Sequence, residues 1–330
     1  MKTYDVLCIG NAIVDVIASC DDAFLSDNDI IKGAMNLVDA ERAEELYGRM
    51  GQAVESSGGS AGNTAAGLAS FGARTAYFGK IAKDQLGDIY AHDIQSLGVT
   101  FNSARLDGPP PTARSMIFVT PDGERSMNTY LGACAEFGME DIDETIAADS
   151  KVTYFEGYLW DPPRAKDAIR ACARMTHEAK GEMAMTLSDP FCVGRYREEF
   201  LELMRSGTVD IVFANEEEVC SLYETGDFDD AVARISEDTR VAAITRSEKG
   251  SVIVGEGRKV EVAAHPIEKL VDTTGAGDLY AAGFLYGYTH GKDFETCGKL
   301  GSLAAGLVIQ KIGPRLDKAL SDSAREAGIL

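Results

Sequence analysis

The stretch Asp272-Thr273-Thr274-Gly275-Ala276-Gly277-Asp278 constrains this chain more than any other. It follows a strand-like apolar run, Val260 to Val271 with a break at Pro266, and opens a helical run, Leu279 to Tyr288. Glycines at 275 and 277 let the backbone turn sharply and leave its N–H groups bare. The start of a helix has N–H groups without intrahelical partners and a partial positive charge, so it favours an anion, usually phosphate. Asp278 falls in the first turn, where a carboxylate beside an anion cradle can take a proton from an attacking hydroxyl. A plain glycine turn with a helix-start carboxylate would use some of the same residues. The full seven-residue pattern favours chemistry.

Strand-like and helical segments alternate from end to end, which predicts an α/β fold with a mostly parallel sheet. Val6 to Gly10 reads as a buried parallel strand. A dinucleotide fold would follow it with Gly-x-Gly-x-x-Gly, and the chain has Gly10-Asn11-Ala12-Ile13-Val14-Asp15 instead. No Walker-type Gly-x-x-x-x-Gly-Lys-Ser/Thr loop occurs either. Ile13 to Ser19, Gly33 to Val38, Val99 to Ala104 and Arg114 to Thr120 read as further short strands, the last two flanking Pro109-Pro110-Pro111. Asp39 to Met50 reads as a helix capped by Asp39. Asn63 to Phe71 reads as a helix of small side chains, ended by Gly72. Ile211 to Ala214 is a buried strand, directly followed by Asn215-Glu216-Glu217-Glu218. Residues at the carboxyl end of such a strand are where α/β folds place ligands.

The charge balance limits the partners. A formal net charge of −21 argues against a surface for DNA or RNA, so an anionic substrate must meet a local positive site or a metal. No apolar run approaches the roughly 18 residues of a spanning helix. The first residues run straight into a strand without a signal-peptide pattern. Seven cysteines, odd in number and without a Cys-x-x-Cys pair, suit a reducing cytoplasm. The four histidines have no metal-ligand spacing. No sequence pattern fixes an oligomeric state.

Asp-Thr-Thr-Gly-Ala-Gly-Asp resembles the C-terminal signature of the ribokinase (PfkB-type) family of sugar and nucleoside kinases. Gly58-Gly59-Ser60-Ala61-Gly62-Asn63-Thr64-Ala65 resembles the N-terminal one, in the expected order, and the likeness spans nearly the whole chain. It implies a single kinase domain over 1–330, a ribokinase-like three-layer sandwich with a small β lid from segments near 12–40 and 100–130. It also implies site roles. Asp278 would be the base, and the amides of Gly275, Ala276 and Gly277 would stabilise charge on the transferred phosphoryl group. Asn11, Asp15, Gly58, Gly59 and Asn63 would meet the acceptor, with Asp15 on its hydroxyls and the glycines as a hinge. Arg125, Asn215, Glu218, Thr245, Gly250 and Thr274 would meet ATP. Magnesium would lie near Glu218 through water, and a monovalent cation such as potassium near Asp272.

Some of these positions have ordinary alternatives: Asp15 as a solvated turn residue, Arg125 as a surface charge, Asn215 to Glu218 as an acidic helix start. Ser247 also departs from the family's Thr-x-Gly-x-x-Gly loop at its first glycine. Within the family, Gly10 to Asp15 together with Thr129-Tyr130-Leu131-Gly132-Ala133 resembles the bacterial members that phosphorylate adenosine. That implies transfer from ATP to the 5′-hydroxyl of adenosine. A sugar kinase for ribose or fructose and a silent nucleoside-binding protein are the alternatives.

Overall fold

The computed structural model describes residues 2–330. β1 (Tyr4–Ile9) leads through β2 (Ile13–Ser19), α1 (Asp22–Asp27), β3 (Met35–Leu37), α2 (Ala40–Arg49) and β4 (Ala53–Ser57) to α3 (Ser60–Phe71). Then come β5 (Thr75–Phe78), α4 (Gln85–Ser96), β6 (Ala113–Val119), β7 (Arg125–Tyr130) and α5 (Glu144–Ala148). The alternation continues with β8 (Ser150–Glu156), α6 (Pro163–Glu178), β9 (Glu182–Thr186), α7 (Pro190–Arg205) and β10 (Ile211–Asn215). After α8 (Glu216–Leu222) and α9 (Phe228–Asp238) run β11 (Val241–Thr245), β12 (Ser251–Gly255) and β13 (Arg258–Val262). Three helices follow: α10 (Ala276–Thr289), α11 (Phe294–Val308) and α12 (Leu320–Glu326).

Eight strands form one sheet in the order β13-β12-β11-β10-β9-β8-β1-β5, parallel from β11 to β5 and antiparallel at β12 and β13. Its parallel strands are mostly apolar because helices cover both faces. Leu7, Ile9, Phe155 and Met185 pack on one side with α6, α7 and α9. Val6, Cys8, Tyr154 and Phe213 pack on the other with α3, α4 and α10. Three layers result, as the family resemblance implied.

The second sheet, β3-β7-β6-β2-β4, buries one face against α1 and α2 through Leu25, Ala43, Leu46, Met116 and Phe118. Side chains alternate across a pleat, so Asp15, Ser115 and Thr129, which are register partners, share the opposite face. Ser115 Oγ and Thr129 Oγ1 are 2.8 Å apart on it.

Three local readings change. Val99 to Ala104 is no strand of the small sheet: Thr100 makes a single bridge to Ala76 beside β5, and the chain then turns into the prolines. β4, a mostly polar edge strand, supplies the missing pairing to β2. The apolar run before the glycine loop is strand only to Val262, after which the backbone is irregular up to α10.

Candidate active site

The carboxyl ends of β1, β8, β10 and β11 lie on one edge of the large sheet, where the N-termini of α3, α8 and α10 collect. Gly275 is the N-cap of α10 at φ 76°, a left-handed conformation that favours glycine. Asp272 braces the loop: its Oδ1 accepts the Thr274 N–H at 3.0 Å and its Oδ2 accepts the Gly313 N–H at 2.8 Å. The Ala276 N–H is not free, since it turns back to the Thr273 carbonyl at 3.2 Å. The N–H groups of Gly275 and Gly277 have no partner among the described residues, and they are the donors the loop offers to an anion.

α3 lies against α10 because both are built from small residues. A Cβ on Gly67 would come within 2.7 Å of Leu279 and Ala282. This approach brings Ser60 Oγ to 2.6 Å from Asp278 Oδ1 and Asn63 Nδ2 to 2.9 Å from Oδ2. Asp278 keeps some solvent contact, yet the protein packed around it raises its pKa to about 6, against the two hydrogen bonds and Arg315, which lower it. It is therefore an ionised carboxylate at neutral pH with a proton affinity well above that of a free aspartate.

Asp15 is buried and its carboxylate has no hydrogen-bond partner among the described residues. Gly58 makes room for it: a Cβ there would lie 2.4 Å from Asp15 Oδ2. Burial raises the Asp15 pKa to about 6, Asp278 adds to the rise, and the charges of Arg315 and Arg125 oppose it. Gly59 is held at φ 81° with the Asn11 carbonyl where its Cβ would be, which ties the end of β1 to the start of α3.

Glu156, at the end of β8, went unnoticed in the sequence. It is fully buried and accepts the Asn11 N–H at 2.9 Å, Asn11 Nδ2 at 2.7 Å and the Ala61 N–H at 2.7 Å. Burial pushes its pKa to about 7 in spite of these donors. Asn11 therefore spends its side chain on Glu156. A lone acid ending an apolar strand is the only local sign of it. Ser60, also unflagged, is a direct neighbour of Asp278. Arg125 reaches from β7 of the small sheet to Asp272, with Nη1 2.5 Å from Oδ2; its Nε and Nη2 are buried without partners. Arg315, a third omission, donates to Asn63 and Ser57.

Asn215 and Glu218 form a reciprocal cap on α8. Asn215 Oδ1 accepts the Glu218 N–H at 2.8 Å, while the Asn215 N–H and Nδ2 donate to the Glu218 carboxylate at 3.0 and 2.7 Å. Burial, then Asp189, Glu217 and Asp278, raise the Glu218 pKa to about 7. Thr245 ends β11 beside them, its Oγ1 3.4 Å from the Ala214 carbonyl. Ser247 takes φ 51°, so serine retains the backbone turn of the glycine it replaces. Gly250 at φ 86° faces the Val262 carbonyl too closely for any Cβ. A cleft of about 460 Å³ opens between Asn215, Glu217, Thr245, Ser247 and Phe228. A groove of about 290 Å³ lies at the small sheet, lined by Leu37, Pro110, Thr129, Leu131 and Ala135 among others.

The chain as a whole is similar to known proteins. Residues 5–319 match the pfkB family carbohydrate kinase pattern. The solved structure of an adenosine kinase from Sinorhizobium meliloti is 67% identical, with a TM-score of 0.93 over 98% of this chain and 99% of that one. A probable sugar kinase from Rhizobium etli CFN 42 is 63% identical, with a TM-score of 0.95 over 100% of both chains. Adenosine kinase 1 of Arabidopsis thaliana is 30% identical over 93% of this chain and 94% of its own length.

Proposed function

This chain belongs to the pfkB carbohydrate kinase family, and from that premise we propose that it transfers the terminal phosphoryl group of ATP to the 5′-hydroxyl of adenosine, giving AMP and ADP. The observation that carries the chemistry is the Asp278 carboxylate, held by Ser60 and Asn63 at the mouth of a helix N-terminus with unpaired loop amides. In this reading Asp278 accepts the hydroxyl proton, a contribution of about 10²–10⁴-fold. The Gly275 and Gly277 amides meet the charge that develops on the transferred group; loss of one such donor typically costs around 10²–10³-fold. Positioning and charge stabilisation supply most of the acceleration in such transfers, so few reactive side chains are needed.

Asp15 takes the ribose hydroxyls, which supply the donors its buried carboxylate lacks. Gly58 and Gly59 flank that site, and Asn11 and Asn63 act by holding Glu156 and Asp278 in place. The base of the nucleoside packs on the apolar groove beside Thr129, a register partner of Ser115 in the row that contains Asp15. Thr245, Ser247, Gly250, Asn215 and Thr274 border the donor site, and Arg125 reaches it from the small sheet, which serves as the lid. Closure of that lid would exclude water from the transfer.

Magnesium fits this site. Glu218 is pushed toward neutrality by burial and then by Asp189, Glu217 and Asp278, with no cation among the causes. The ion would be held mainly by phosphates and water, with Glu218 beyond the water. When bound it neutralises charge on the donor phosphates. The monovalent cation implied at Asp272 does not fit. Arg125, Gly313 and Thr274 all point N–H donors at that carboxylate, and the guanidinium already supplies the positive charge.

The likeness to the Sinorhizobium meliloti enzyme supports adenosine as the acceptor. The likeness to a probable sugar kinase supports a second reading, in which ribose or fructose is the acceptor at the same Asp15 and Asp278. The acidic surface supports small-molecule partners over nucleic acid. No helix among the described residues is long and apolar enough to cross a membrane, and seven free cysteines suit a reducing cytoplasm. ADP release measured with adenosine, ribose and fructose at equal concentration tests the assignment. Adenosine should be turned over far faster than either sugar; equal or faster turnover of ribose or fructose would promote the second reading.

A further inference from the structure

A half-buried cation stands beside the acceptor site and donates hydrogen bonds only to neutral groups. Arg315 lies in Gly313-Pro314-Arg315, a turn threaded between the glycine loop and α3. Pro314 packs so closely on Gly275 that a Cβ there would sit 2.7 Å from the Pro314 Cβ. Arg315 Nη1 donates to Asn63 Oδ1 at 2.6 Å, and Nη2 donates to the Ser57 carbonyl at 2.8 Å and to Ser57 Oγ at 3.2 Å. Its Nε is buried with no partner. Enclosing a guanidinium this way is costly, and burial lowers its pKa from the ordinary value. An arginine side chain nevertheless keeps its charge at neutral pH.

An asparagine amide has an accepting end and a donating end. With Oδ1 held by the guanidinium, only Nδ2 can face Asp278, and it does so at 2.9 Å. Were the amide to turn over, an oxygen would oppose the carboxylate. We propose that Arg315 is a positioning residue for the phosphoryl transfer: it locks the Asn63 amide so that Asp278 is held as the proton acceptor, and it supplies the positive charge that keeps that carboxylate ionised. The proposal rests on the reading of Asp278 as the base. The other titratable groups facing Asp278 are Asp15 from β2, Tyr154 and Glu156 from β8, Tyr158 just beyond it, and Glu218 from α8. None is a cation, and Arg315 is the one charge that lowers the Asp278 pKa. Removing it leaves the Ser60 and Asn63 hydrogen bonds as the only influences that favour the ionised form.

The test is the pH profile of kcat/KM for adenosine in the full-length wild type, Arg315→Met, Arg315→Lys, Asn63→Ala and the Arg315→Met/Asn63→Ala double variant. Arg315→Met should lower kcat by about ten- to a hundredfold, the usual scale for a misplaced catalytic group, and move the acid limb upward. KM for ATP should stay within about threefold, and millimolar guanidinium should restore part of the rate. Arg315→Lys keeps the charge without the two-pronged donation, so its acid limb should stay near that of the wild type while kcat falls. The double variant should be no slower than the slower single variant, because both act through one hydrogen-bonded unit. An unchanged acid limb in Arg315→Met overturns the proposal, as does full additivity in the double variant. Should Arg315→Met fail to fold, Arg315→Lys with wild-type kcat overturns the locking role by itself. Asp278→Asn in the same assay separates the two ideas. An active Asp278→Asn enzyme removes the base assignment, whereas an inactive one beside an unperturbed Arg315→Met removes only the role of Arg315.

Discussion

Replacing Asp15 by alanine should abolish most of the preference for a ribonucleoside over its 2′-deoxy counterpart. The carboxylate is 8% exposed and has no hydrogen-bond donor among the described residues, while Gly58 leaves space directly against it. A 2′,3′-diol offers two O–H donors side by side, and 2′-deoxyribose offers one. A hydrogen bond to a charged group contributes about 1.5–3 kcal/mol, so adenosine should exceed 2′-deoxyadenosine by about ten- to 150-fold in kcat/KM. In Asp15→Ala the ratio should fall to about threefold or less, mainly through loss of activity on adenosine. The assay is coupled ADP release at pH 8, where a group of pKa about 6 is ionised. The diol favours the ionised carboxylate, so binding should release protons near pH 6, measurable by calorimetry in buffers of different ionisation enthalpy. A wild type that treats the two nucleosides alike would refute the reasoning, and so would an Asp15→Ala enzyme that keeps the full ratio.

Two further outcomes follow from charges already placed. Because Arg125 occupies Asp272, initial rates in potassium and in tetramethylammonium at equal ionic strength should agree within about twofold; a tenfold potassium effect would show that the arginine yields its place to an ion. The pKa values of Asp15 and Asp278 are raised to about 6 and those of Glu156 and Glu218 to about 7, so their stabilising contribution is full below about pH 4 and is lost as pH rises through 6–7. Asp5, held near 2 by its bonds to Arg74 and Lys151 in spite of burial, works in the opposite sense and loses its contribution only in strong acid. The midpoint of thermal unfolding should accordingly be higher at pH 5.5 than at pH 8, and a steady rise from 5.5 to 8 would contradict the burial that raises the pKa values of these acids.

What could be read from the sequence was local. Gly275 and Gly59 announce themselves because their backbone conformations exclude other residues, and a run of seven or eight residues carries the whole turn with its flanking helix. The α/β class with a mostly parallel sheet was likewise legible, since mostly apolar strands alternate with helices; the three layers came with the family resemblance. Contacts between distant segments were not. Ser60 meets Asp278 across 218 positions, and Arg315 meets Ser57 across 258, with no periodicity or motif to connect them. Glu156 was hidden for the same reason: its three donors come from Asn11 and Ala61. Asn215 and Glu218 show how one pattern can carry two roles. Asn-x-x-Glu before an apolar run is also a capping-box pattern, and their side chains make that cap here. β4 escaped notice because a mostly polar edge strand has no alternation to betray it.

The central claim is that one carboxylate at the start of α10 accepts the proton of the attacking hydroxyl. Its most direct test is a single turnover of ATP with excess adenosine by the wild type and by Asp278→Asn, with adenosine affinity measured in parallel by calorimetry. Ser60 and Asn63 both donate to Asp278, so asparagine keeps an acceptor for one of them and the fold should hold. The account predicts AMP formation slowed by at least about a hundredfold with an adenosine Kd changed less than about tenfold. More than about a tenth of the wild-type rate in Asp278→Asn would contradict it.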